Sequence, residues 1–159
     1  MLLCQDSHSG RLLGTGAEVM AQQADSMELL FKLSGVFSQV NKKVDRALST
    51  HGISLSEFMV LHQLNSAQNE MMSRIELADA VNLSASGITR LLNPMEKIHL
   101  VDKEKNSRDA RVSLVKLTFS GRDLYKYAFL SCKNAMDTTT ADMGSKQLSA
   151  LLDLLKKLQ

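Results

Sequence analysis

The sequence predicts a mainly α-helical fold carrying one small β-hairpin: a winged helix-turn-helix set between N- and C-terminal helices. Three observations predict it. Apolar residues recur at i, i+3, i+4 and i+7 over long stretches near both ends, as on one face of a helix. In the middle, "SRIELADAV" and "SASGITRLL" are two short helical segments joined by the turn "NL", the arrangement of a helix-turn-helix. Immediately after them, "LVDKEK" and "VSLVKLTF" alternate apolar and polar residues as half-buried strands do, and the polar loop "NSRDAR" separates them. The composition agrees. The 159 residues include one proline, no tryptophan and 4% aromatics, with abundant Leu, Ala, Met, Lys and Glu.

Each element has its own local signal. Residues 1–24 hold Gly10, Gly14 and Gly16 with little periodicity and read as a tail, with helix allowed near its end. A long amphipathic helix follows over 25–50, with Leu29, Leu30, Leu33, Val36, Phe37, Val40, Val44 and Leu48 in helical rhythm and Gly52 placed to end it. Ser54 and Glu57 have capping-box spacing ahead of a second helix whose face is Phe58, Leu61 and Leu64. Ser73 and Glu76 repeat that signal for a third helix with Ile75, Leu77, Ala78 and Val81 apolar, and Ser84 is the N-cap of a fourth. Two more helices, 120–138 and 145–158, close the chain, the last with a stripe of Leu148, Leu151, Leu152, Leu155 and Leu158.

Pro94, the only proline, interrupts the fourth helix. Within a helix, proline removes one hydrogen bond and clashes with the preceding turn. In "NPME", Asn93 suits an N-cap, Pro94 the first helical position and Glu96 the third. The expectation is therefore a kink at Pro94, or a stop near Leu92 and a one-turn restart.

Charge is uneven. The chain carries a net +2, yet Ser84 to Arg122 holds eight cations against four anions, a surplus of +4. Cys4 and Cys132 form no disulfide framework and fit a reducing cytosol. No apolar run reaches membrane-spanning length, and "MLLCQDSHSGRLL" lacks a basic segment ahead of an apolar one, so neither a membrane span nor a signal peptide is expected. A cytoplasmic location is the expectation. His8, His51, His62 and His99 fall on different elements without metal-ligand spacing. No nucleophile–base pair or phosphate-binding glycine loop can be inferred, so no catalytic residue, metal or cofactor is expected.

The stretch "DARVSLVKLTFSG" matches DxRx5(L/I)TxxG, with Asp109, Arg111, Leu117, Thr118 and Gly121 in place. Together with "ELADAVNLSASGITRLL" upstream, it resembles the MarR family of bacterial transcription regulators. The resemblance covers about 54–127 by motif and the whole chain by helix order. It implies a dimeric winged-helix repressor or activator that binds palindromic DNA and often senses a small molecule or an oxidant. It also implies that Asp109 and Arg111 brace the hairpin, and that the two termini dimerise. Two residues depart from the family pattern. His99 stands where a glycine is common, but histidine tolerates a left-handed conformation. Pro94 falls where the family helix is usually uninterrupted.

On this reading, 1–24 is an N-terminal tail, 25–52 a dimerisation helix, 53–119 the winged helix-turn-helix DNA-binding domain, and 120–159 the C-terminal dimerisation helices. The candidate DNA contacts begin at the fourth helix. Its free N–H groups behind Ser84 suit a phosphate oxygen. Ser86, Thr89 and Arg90 project from its first turns, and an arginine can pair bidentately with guanine. Gly87, costly in a helix, fits a close backbone approach to DNA. Ser73 and Arg74 open the preceding helix near the sugar–phosphate backbone. Lys105, Asn106, Ser107 and Arg108 form the wing tip, where an arginine can enter a narrow minor groove.

Plainer readings stand beside these: a capped surface helix, a solvated charged loop, and Cys132 as a packing residue. The expected function is a sequence-specific, DNA-binding transcription regulator, a repressor relieved by a small-molecule effector. The competing readings are a redox regulator acting through Cys4 or Cys132, and a winged-helix protein-contact module that does not bind DNA. The expected partners are double-stranded palindromic DNA and a second copy of the chain.

Overall fold

The computed structural model describes the backbone of residues 16–105 and 113–158, and the side chains of 25–104 and 113–158. The chain divides into two compact units, Met1–Ser38 and Gln39–Gln159. Helix α1 (Gly16–Ser49) runs from the first into the second and begins well before the residue 25 expected from periodicity. Among its described residues in the first unit, Leu30, Phe31, Val36 and Phe37 are each more than half exposed, at 56, 68, 58 and 65%. In the second unit its Val44 and Leu48 are core residues. Gly52 closes the turn after α1 at φ 71°, the left-handed conformation its position called for.

The second unit continues with α2 (Leu55–Ser66), a 3-10 turn (Gln68–Glu70), β1 (Met71–Ser73), α3 (Arg74–Ala80), α4 (Ala85–Lys97), β2 (Val101–Lys105), β3 (Ser113–Leu117), α5 (Phe119–Thr139) and α6 (Ser145–Lys156). Capping boxes at Ser54/Glu57 and Ser73/Glu76 start α2 and α3 as expected. The sheet is antiparallel in the order β1-β3-β2, with Met71 opposite Lys116 and Val101 opposite Leu117. The expected hairpin is thus β2–β3, and β1 adds a third strand beside it. Three residues, "MMS", are too few to show an alternation, which is why β1 had no signal in the sequence.

One core holds this unit together. Leu48, Val60, Leu61, Leu64, Leu77, Ile88, Leu92, Met95, Val101 and Val115 are fully buried. Each such side chain contributes roughly 1.5–3 kcal/mol of transfer free energy. Ile75 does not join them. Although it is one of the apolar residues of α3, it is 71% exposed. At 100° per residue it points roughly 160° away from the buried Leu77.

Pro94 neither stops nor restarts α4, which is one helix from Ala85 to Lys97. Asn93 is not an N-cap. The proline lies one turn from the helix end, so the only backbone bond it forfeits is to the Arg90 carbonyl. Leu92 and Met95 on either side of it are locked in the core. Tertiary packing therefore outweighs the local cost.

After α4 the chain reverses through His99 at φ 57°, so histidine does take the left-handed position that glycine often fills. Thr118 then binds this reversal to α5. Its hydroxyl donates to the His99 carbonyl at 2.7 Å, lies 3.1 Å from the Leu100 carbonyl, and accepts from the Gly121 N–H at 2.9 Å. Gly121 is packed so closely that a Cβ there would lie 2.0 Å from the Leu100 carbonyl oxygen. The Thr and Gly of the sequence motif thus form one joint between α5 and the turn leading into β2.

Candidate nucleic-acid interface

Helix α4 has two unlike sides. Ile88, Leu92 and Met95 fasten it to the core. The opposite side, in register at 100° per residue, presents Ser86, Arg90, Asn93 and Lys97, all exposed. Its N-terminus is open and capped: the Ser84 hydroxyl accepts the Gly87 N–H at 3.1 Å and lies 3.2 Å from the Ser86 hydroxyl. A Cβ on residue 87 would sit 3.2 Å from that Ser84 oxygen, so glycine also leaves room for the cap. Thr89 is half-buried and its hydroxyl donates to the Ala85 carbonyl at 2.8 Å. Its proton is therefore committed to the helix, leaving the oxygen as an acceptor. Arg90 is exposed and has no hydrogen bond or ion pair with any described residue, so among these its guanidinium donors are uncommitted.

Ser73 has two roles, as the last residue of β1 and the N-cap of α3. Its hydroxyl accepts the Glu76 N–H at 3.2 Å, and the Glu76 carboxylate accepts the Ser73 N–H at 3.0 Å. Hydrogen bonding from the Ser73 side chain, and then from its backbone N–H, holds the Glu76 carboxyl below its ordinary range. The neighbouring Arg74 is exposed and unpaired among the described residues.

Several cations of the basic block are instead neutralised within the fold. Lys103 of β2 reaches back to α4, 2.5 Å from Glu96 and 3.4 Å from the Asn93 side-chain oxygen. Lys116 of β3 lies 3.8 Å from Glu104 of β2. Arg122 of α5 grips Glu70 with both arms of its guanidinium: Nε donates to Oε1 at 2.6 Å and Nη2 donates to Oε2. Glu70 and the preceding Asn69 both have left-handed backbones, at φ 54° and 57°. Sequence reasoning missed this pair, because 52 residues separate its members and neither follows a periodic pattern.

The hydrogen bonds from Arg122, more than its charge, hold the Glu70 carboxyl below the usual range. A depressed carboxyl contributes stability that is fully present above its unfolded value and is lost as pH falls through the folded one. The stability gap between the native protein and Glu70→Gln should therefore be widest near neutrality. It should close in acid, as read from denaturant midpoints across a pH series.

Asn106, Ser107, Arg108, Asp109 and Arg111 lie outside the described residues, as do the side chain of Lys105 and all of Cys4. The Lys105 backbone pairs with Ser113 in the last described register of the β2–β3 hairpin. Cys132 is buried, and burial pushes its thiol pKa up, away from the reactive thiolate. His62 Nδ1 lies 2.8 Å from the Tyr125 hydroxyl and His51 Nε2 lies 2.8 Å from the Ser131 hydroxyl, so both imidazoles have structural partners. Among the described residues, no group of three His, Cys, Asp or Glu side chains could hold a metal, and no helix is long and apolar enough to cross a membrane.

The family model of the SarA/Rot transcriptional regulators matches residues 42–127, from the end of α1 through the first turns of α5. The chain belongs to the SarA/Rot family. SarA/Rot proteins are transcriptional regulators, not enzymes. The match spans both helices of the helix-turn-helix, the sheet and the Thr118–Gly121 joint. YdgJ of Bacillus subtilis (strain 168), an HTH-type transcriptional regulator, is 26% identical over 136 residues, spanning 86% of this chain and 80% of its own.

Solved structures show the same fold in MarR family regulators, as the DxRx5(L/I)TxxG motif led us to expect. A mutant MarR from E. coli, complexed with operator DNA, has a TM-score of 0.77 at 22% identity, covering 84% of this chain and 95% of that one. CouR from Rhodococcus jostii RHA1, bound to p-coumaroyl-CoA, has a TM-score of 0.74 at 24% identity, covering 82% and 90%.

Proposed function

We propose that this SarA/Rot-family regulator is a cytoplasmic homodimer that represses transcription by binding palindromic duplex DNA. On this reading 53–119 is the DNA-binding domain, and 25–52 and 120–159 supply the dimer contacts. The observation that carries it is the division of labour on α4: one side is locked in the core, while the other offers Arg90, unpaired among the described residues, in line with Ser86 behind an open N-terminus. Arg90 and Ser86 read bases in the major groove. Ser84 and Gly87 bring the helix N-terminus to a phosphate, and Thr89 offers an acceptor. Ser73 and Arg74 grip the backbone beside it. The wing residues Lys105, Asn106, Ser107 and Arg108 reach the minor groove, with Asp109 and Arg111 bracing the loop.

That MarR was crystallised with operator DNA and CouR with p-coumaroyl-CoA supports both DNA binding and control by a small-molecule effector. Such an effector would act by changing the spacing of the two recognition helices.

The test is a salt-resolved titration of the promoter region upstream of the protein's own gene. Binding should fall steeply with salt, as counterion release requires. Arg90→Ala should lose roughly 1–3 kcal/mol on the best site and discriminate poorly between sequences. Lys105→Ala should weaken all duplexes alike and reduce the salt slope by about one. A protein that binds no duplex at low salt, or an Arg90→Ala, Arg108→Ala variant as tight as the native one, rejects the proposal.

A further inference from the structure

We propose that the Glu70–Arg122 ion pair is a positioning device for DNA binding, a latch from α5 that sets the presentation of Ser73 and Arg74. The inference rests on the DNA-binding reading above. Its geometry begins in the turn between α2 and β1, where Asn69 and Glu70 are both left-handed at φ 57° and 54°. Two successive non-glycine residues in that region persist only where their surroundings hold them there. Here the holder is Arg122, which engages both carboxylate oxygens of Glu70 from α5.

The pair is partly shielded, with side chains 27 and 34% exposed. Glu70 leads directly into β1, the three-residue strand Met71–Ser73, and β1 leads directly into α3. With so short a strand, a shift at residue 70 is carried to the α3 N-cap. Ser73 and Arg74 stand at that point, and Met71 pairs with Lys116 of the wing sheet. Arg122 sits in the first turn of α5, directly after the Thr118–Gly121 joint. The latch therefore ties a DNA-facing helix start to the helix that leads toward the C-terminal part of the chain.

Charge alone makes the opposite prediction, which gives the test its sign. Glu70→Gln removes an anion, so a general electrostatic effect would tighten DNA binding. Arg122→Lys keeps the charge but loses the two-armed grip, so that effect would leave affinity unchanged. The latch predicts that both variants bind a labelled duplex of the protein's own promoter region about tenfold more weakly. The comparison is made at a temperature where native and variant proteins are fully folded by circular dichroism.

A second arm needs no DNA. Amide hydrogen exchange should quicken at Met71 to Ile75 in both variants and remain native in α4. Unchanged or tighter binding by the variants overturns the latch, and so does weaker binding without faster exchange in that segment. If the native protein binds no duplex, the DNA-binding reading fails. The exchange arm then still decides whether Arg122 holds the β1–α3 junction.

Discussion

Gly121→Ala should cost the fold about 3 kcal/mol or more, the largest stability loss we expect from adding a single methyl group. The added Cβ would lie 2.0 Å from the Leu100 carbonyl oxygen and 2.9 Å from a Leu117 methyl. Neither can retreat easily. The Leu100 carbonyl accepts the Thr118 N–H at 3.2 Å. Leu117 is 2% exposed and belongs to the core. Relief would require α5 to slide away from the turn into β2, breaking the Thr118 bonds to His99 and Gly121. Chemical denaturation should show a large fall in midpoint. Gly35→Ala is the matched control. Gly35 lies within α1 and a Cβ there meets nothing within 4 Å, so the same change should be neutral or gain about 0.4–1 kcal/mol. A Gly121→Ala protein as stable as Gly35→Ala would show that the joint is looser than this geometry requires.

This joint also marks where sequence reading stops. Thr118 and Gly121 were recognisable as motif residues, but their physical reason is an approach of α5 to Leu100 that no local pattern encodes. What could be read directly was local in origin. The Ser54/Glu57 and Ser73/Glu76 boxes, the Ser84 cap and the Gly52 turn each involve residues three or four positions apart or one backbone angle, and all are present.

Misreadings came where distant contacts decide. The stop and restart expected at Pro94 does not occur, because buried Leu92 and Met95 hold α4 as one helix through it. Ile75 fitted an apolar pattern that a two-turn helix could not bury. The charge count treats all cations of the basic block alike, yet Lys103, Lys116 and Arg122 are bound to Glu96, Glu104 and Glu70, while Arg74, Arg90 and Lys97 are exposed and unpaired among the described residues. Counting charges located the region. Only the pairing separates cations that brace the fold from those free to meet phosphate or bases.

Replacing Phe37 and Leu152 together by glutamate should convert the protein to monomers and weaken its binding to a palindromic operator by about a hundredfold or more. The argument starts from surfaces the single chain leaves uncovered. On α1, Leu29, Leu30, Leu33, Val36 and Phe37 recur at helical spacing and are 38–65% exposed. On α6, Leu151, Leu152 and Leu154 are 41–60% exposed, as is Leu158 just beyond its end. Apolar patches of this kind on soluble chains mark interaction surfaces, and a twofold pairing covers the same patch on both copies at once. Two-fold symmetry also suits a palindrome, where each recognition helix reads one half-site about one helical turn from the other.

Binding the second half-site is then intramolecular, and dissociation removes that advantage while leaving each winged helix intact. The variant should therefore sediment as a monomer and keep a cooperative melt. It should bind an isolated half-site as well as the native protein does. The native protein's melting temperature should rise with concentration, and the variant's should not. A variant that stays dimeric, or a native protein that is already monomeric, would mean these faces are covered by something other than a second copy.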